Sequence, residues 1–268
     1  MKIYGCDFSG AKNPDGKIYI TEGNLEQGEL TVERVFSCED RLDLAYYIRS
    51  SKAPWGLDFP FSIPDYYLQE QYDSSWDRFL QGAYDDTRED FKQRFGVIHS
   101  GRNSRDLRVT DIALQAKSPV SSTPIAMHGM LYGGRKLLFN LREKVSVYPF
   151  GEVRDNASRL YEVYPSHGWK ALQLKSTSQD APGEIPARFN ALVDETFAIT
   201  VTAQAALGTL DAGGKPNPHA RDSMMACIPL AYCIYKYDLE KHWPVRPPFA
   251  TEGEWAARER EGLAVRLF

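Results

Sequence analysis

Apolar and polar positions change rhythm several times in the first sixty residues. "KIYGCD" at 2–7 is a mixed apolar run closed by a breaker, and it predicts a buried strand. "NPDG" at 13–16 is a turn signal. "KIYITEG" at 17–23 alternates as a half-exposed strand does, "NLEQGE" at 24–29 turns the chain, and "LTVERVF" at 30–36 alternates again. "CEDRLDLAYYIRS" at 38–50 sets Leu42, Leu44, Ala45 and Ile48 near helical spacing behind an acidic first turn. "APWGLDF" at 53–59 predicts another buried strand. Tight turns imply antiparallel pairs and a helical crossover implies a parallel one. The first and fourth strands are therefore expected side by side and parallel. Asp7 and Asp58 would then share one end of the sheet.

Beyond Pro64 the pattern loosens. Residues 65–95 are polar, aromatic and helical in character, 99–111 form a loop, and 126–144 predict a helix. The stretch 65–145 is expected to be a mostly helical insertion or cap within one domain spanning 1–268. "KVSVYPF" at 144–150 and "RLYEVYP" at 159–165 predict strands, the second carrying Glu162. The stretch 186–200 predicts a helix, 208–218 a loop, and 219–241 a long apolar helix with Asp222 in its first turn. Pro229 is expected to kink that helix.

Composition narrows the class. The chain has 268 residues, 43% apolar and 25% charged, as a globular protein does. Its formal net charge of −4 leaves any nucleic-acid contact to a local basic patch. The four cysteines show no CxxC or zinc spacing, and there is no signal-like opening or apolar run of membrane length. The expected setting is the cytoplasm, with reduced thiols and no membrane contact.

Two carboxylates at one strand end repel, and burial worsens the repulsion unless a cation compensates. A divalent, oxygen-preferring metal, Mg²⁺ or Mn²⁺, is the economical compensation. The competing expectation is capping: Asp7 for the Ser9-Gly10 turn, Asp58 for the 59–64 loop, Asp222 for its own helix. Glu162 joins the acids if its strand runs parallel to the fourth; otherwise it faces solvent on an edge. Arg102, Arg105 and Arg108 are candidate phosphate contacts, against a plain solvated loop. Ser9 and His219 are further candidates for substrate contact, and His167 and His219 adjoin two of the acids as candidate proton carriers.

The segments "DFSGA" (7–11), "GLDFPFSIP" (56–64), "RVTD" (108–111), "SPV" (118–120), "YEVYPS" (161–166), "RDSMMACI" (221–228) and "EGLAV" (261–265) together resemble domain-of-unknown-function family 429. Two departures stand out. Ser223 follows Asp222 where the family has Ala, and Leu263 follows Glu261-Gly262 where it commonly has Trp. The resemblance implies an α/β, ribonuclease H-like fold: a mixed sheet of strand order 3-2-1-4-5, flanked by helices, with nuclease ancestry. In ribonuclease H-like nucleases such as the Holliday-junction resolvases, acids on the first and fourth strands and the last helix hold two magnesium ions. By position those acids are Asp7, Asp58 and Asp222, with Glu162 as a fourth candidate. The implied activity is two-metal phosphodiester hydrolysis. Alternatives are an actin-like or sugar-kinase-like phosphotransferase, using "DFSGA" at 7–11 as a phosphate-contacting hairpin and "LDAGGKP" at 210–216 as a second phosphate loop, and a non-catalytic scaffold that binds a nucleotide or partner.

Overall fold

The computed structural model describes residues 1–95, 103–122, 127–239 and 245–267. Strands β1 (Lys2–Asp7), β2 (Ile18–Glu26) and β3 (Glu29–Cys38) form an antiparallel meander. Helix α1 (Arg41–Ser51), capped by Asp40, crosses back to β4 (Pro54–Asp58), which lies parallel to β1. Helices α2 (Asp65–Tyr72), α3 (Trp76–Gln81), α4 (Arg88–Arg94), α5 (Val109–Leu114) and α6 (Met127–Leu141) follow. Next come β5 (Val145–Val147), β6 (Ser158–Val163), α7 (Pro165–Ala171), α8 (Ala181–Leu192), β7 (Ala198–Val201) and α9 (Ala203–Gly208). The chain ends with α10 (Pro218–Tyr237), α11 (Glu252–Glu261) and β8 (Ala264–Val265).

The sheet is mixed and flanked by helices, but its order differs from the expected 3-2-1-4-5. It runs β5-β6-β4-β1-β2-β3-β7, with β8 also paired to β6. The 3-2-1-4 block is as anticipated. The strand beside β4 is β6, because its apolar run suits an interior place, while three-residue β5 fits only an edge. The end of the predicted 186–200 helix is instead β7, parallel to β3. Asp194 breaks the helix there by accepting the Thr196 N–H at 2.9 Å. The β-branched Ile199-Thr200-Val201 then adds an edge strand.

Two apolar cores cover the sheet faces. One gathers α7, α8 and α10 with Ile3, Leu25, Val32 and Val163. The other joins Cys6, Ile20 and Leu57 to α1 and α6, and to Phe61, Leu68, Phe79 and Phe91 of the 65–95 stretch. The helices after β4 thus share a core with the strands and build one of the sheet's two layers. No described helix is long and apolar enough to cross a membrane.

Candidate metal centre

Asp7 closes β1 and Asp58 closes β4, and the two are direct partners in the parallel register. Strand periodicity sends residues two apart to the same face, so Gly5 and Gly56 share the face of the two acids and are themselves partners. Helix α10 lies on this glycine floor. A Cβ at Gly5 would stand 2.3 Å from the Ser223 carbonyl oxygen, and one at Gly56 would stand 2.5 Å from that of Ala226. A bulkier floor would hold the helix off. The close approach brings Asp222 down to the strand ends, and ligand oxygens of Asp7, Asp58 and Asp222 all lie within 4.8 Å of one another.

None of the three acids is a cap. Asn217 caps α10, accepting the N–H groups of His219 and Ala220, and so places Asp222 in the second turn rather than the first. The Ser9 hydroxyl, not Asp7, accepts the Ala11 N–H at 3.2 Å. In the loop after Asp58, Glu162 takes the Phe61 N–H at 2.8 Å. With the capping work done elsewhere, the triad carboxylates are left facing one another.

Their electrostatics follow. Burial raises Asp7, while hydrogen bonding to His219 opposes the rise. Burial first, then the charges of Asp7 and Asp222, push the Asp58 carboxyl well above its ordinary value. Asp222 is raised to about 6, mainly by burial. His219 Nδ1 lies 2.7 Å from Asp7 Oδ2, and this hydrogen bond raises the imidazole pKa. The Trp169 indole N–H donates to Asp222 Oδ1 at 2.7 Å.

Glu162 and Arg108 do not join this set. Glu162 lies on β6 beside β4, but Arg108 grips it through two bonds of 2.8 and 2.6 Å. Arg108 is itself 3% exposed and also holds Asp111. Its donors serve the interior and are not offered to a phosphate. Arg105 is exposed beside Asp106 and Tyr66, and Arg102 lies outside the described residues. Ser9 is buried two residues past Asp7, and its carbonyl oxygen is held by Arg41. Burial lowers the His167 pKa, and its charged neighbours are Arg266 and Lys170 rather than the triad. Arg221, next to Asp222, turns to the carbonyls of Ser176, Ser178 and Gln179.

Sequence reasoning missed Trp169, Asn217 and the glycine floor. The available signal was the repeated Gly-x-Asp of "GCD" and "GLD", one on each strand. It also missed Lys117 and Tyr164, which with Asp58 and Arg108 line a small cavity of about 30 Å³. That is room for about one or two waters.

The donor set fits a hard divalent cation: oxygen only, carboxylate-rich and at least half-buried. Comparison with family models, curated proteins and solved structures gives no match, so the reading of this centre rests on its own geometry.

Proposed function

We propose that the chain is a Mg²⁺- or Mn²⁺-dependent phosphodiester hydrolase of ribonuclease H-like type, related to family 429. The observation that carries this reading is the convergence of Asp7, Asp58 and Asp222 within 4.8 Å. The parallel β1, β4 and β6 beside the antiparallel β1-β2-β3 meander support the fold assignment. Asp7, Asp58 and Asp222 would hold the metal. With Glu162 committed to Arg108, a second ion would have to share these same three carboxylates.

When bound, the cation supplies Lewis acidity toward a phosphoryl oxygen and a more acidic water. The chain's own residues do the rest. Trp169 fixes the Asp222 carboxylate by one oxygen and leaves the other for ligation. His219, held by Asp7 through Nδ1, keeps Nε2 for proton exchange at a leaving oxygen. Lys117 adds positive charge to the wall of the cavity beside Asp58.

The phosphotransferase alternative loses the second of its two phosphate loops. Asp211 Oδ1 accepts the N–H groups of Gly213 and Lys215 at 2.8 and 2.9 Å, and the Asp211 carbonyl accepts that of Gly214 at 2.9 Å. Three successive amides are thus satisfied internally and do not form an anion nest.

The test is hydrolysis of bis(p-nitrophenyl) phosphate and of nucleic-acid oligomers with Mn²⁺, Mg²⁺ or EDTA. Turnover is expected with metal and not with EDTA, and Asp58→Asn should lower it by at least about a hundredfold. Metal binding, seen as a thermal shift, without turnover on any phosphodiester would favour the scaffold.

A further inference from the structure

This inference rests on the phosphodiester reading above and concerns how such a substrate arrives. A groove of about 390 Å³ runs between α1 and α6, and its walls carry Arg41, Arg49 and Lys136. Among the described residues lining it there is no carboxylate, in a chain whose net charge is −4. The nearby acids of α1 are occupied elsewhere. Asp40 accepts the N–H groups of Leu42 and Asp43 at 2.7 and 2.9 Å, and Asp43 takes the Cys38 thiol and the Glu39 N–H, each at 3.3 Å. Arg49 is exposed. Lys136 donates to the Tyr132 hydroxyl at 2.7 Å rather than to an acid, and its ammonium lies 4.8 Å from the Tyr84 ring centre. Tyr84 is 55% exposed.

The groove lies on the sheet face opposite α10, and its Arg41 end abuts the loop that follows Asp7. Arg41, on its wall, donates to the Ser9 carbonyl oxygen at 2.8 Å, two residues past Asp7. Gly133 on α6 makes room for this arginine, since a Cβ there would stand 3.2 Å from Arg41 Nε. Three cations and an exposed aromatic ring along one groove match what a single strand offers: a row of phosphates and flat bases. An acidic peptide would satisfy the cations but offers no flat base to the exposed Tyr84 ring.

We propose that the α1–α6 groove is a track for single-stranded nucleic acid, which it leads past Ser9 to Asp7, Asp58 and Asp222.

The test is anisotropy of a labelled oligothymidylate of about 16 nucleotides, with Ca²⁺ present, over a salt series. Wild type is compared with the double variant Arg49→Gln, Lys136→Gln and with Tyr84→Ala. The double variant should bind roughly tenfold or more weakly and flatten the slope of log affinity against log salt by about 1.4, two cations at about 0.7 each. Tyr84→Ala should weaken binding at unchanged slope. Both should hydrolyse bis(p-nitrophenyl) phosphate as wild type does, because that small ester does not reach the groove. Unchanged affinity and slope in the double variant would overturn the track. So would displacement of the strand by polyglutamate with Tyr84→Ala binding as wild type, which would make the occupant an acidic peptide. If wild type binds the strand through these residues yet hydrolyses no phosphodiester, the track stands and the hydrolase reading falls. If it hydrolyses the small ester while the variants bind as wild type, the reverse holds.

Discussion

Trp169 holds Asp222 by one carboxylate oxygen, and that single bond joins α7 to the metal centre. It also lowers the Asp222 pKa against the upward push of burial. Trp169→Phe should therefore raise that pKa further and weaken Mn²⁺ binding by about tenfold, measured by calorimetry at pH 7. The pH dependence of stability follows from the same acids. Asp222 moves from 3.8 unfolded to about 6 folded, so the folded state holds its proton more tightly. Its contribution is fully present below about pH 4 and is lost as pH rises through about 6. In EDTA the melting temperature should fall over this window, and saturating Mn²⁺ should reverse the trend above pH 6. A fall of the same size in Asp222→Asn would assign the effect to other groups. At this scale the sequence told much about the strand acids and little about their partners. Asp7 and Asp58 were legible because a six-residue and a five-residue strand leave few registers open. Which acid Arg108 would neutralise was not, since Asp111 is a local partner and Glu162 is 54 positions away.

Helix α10 rests on two strands because Gly5 and Gly56 present no side chain to it. Gly5→Ala adds one methyl group aimed at the Ser223 carbonyl and the Cys227 backbone, which are main-chain atoms and cannot rotate aside. The cost should be about 1–3 kcal/mol in denaturant unfolding, with loss of metal-induced stabilisation, because the helix must lift. Gly16→Ala, in an open turn, is the contrast: it meets nothing within 4 Å, and only its positive φ is disturbed. Elements with strong periodicity were legible: the opening meander, α1, α6 and α10. Two kinds were not. β7 continues the apolar spacing of α8 across a break made by Asp194, and β8 is two residues long. The latter exists only because β6 offers Glu162 and Val163 as partners. Helix α11 also escaped, although Thr251 and Glu254 form a capping box, because its face is polar apart from a few positions.

The whole molecule assembles its centre from distant parts of the chain. Glu261, at the end of α11, accepts the Asp65 N–H at 2.7 Å and the Val109 N–H at 2.8 Å, and so ties the starts of α2 and α5 to the C-terminal segment. Asp7 and Asp58 belong to the first quarter of the sequence and Asp222 to the last. Seen as kinetics, the glycine floor makes the centre a late product of folding. The strands can pair while α10 is still undocked, but three ligands coexist only after the helix settles. Its last approach then works against the mutual repulsion of the acids. A cation should change the breathing of this one helix more than that of the meander. In amide hydrogen exchange, the α10 amides over Gly5 and Gly56 should slow on adding Mn²⁺, while those of β2 and β3 hold their rates. The centre would then act as a latch, with helix docking and metal occupancy as two readings of a single equilibrium.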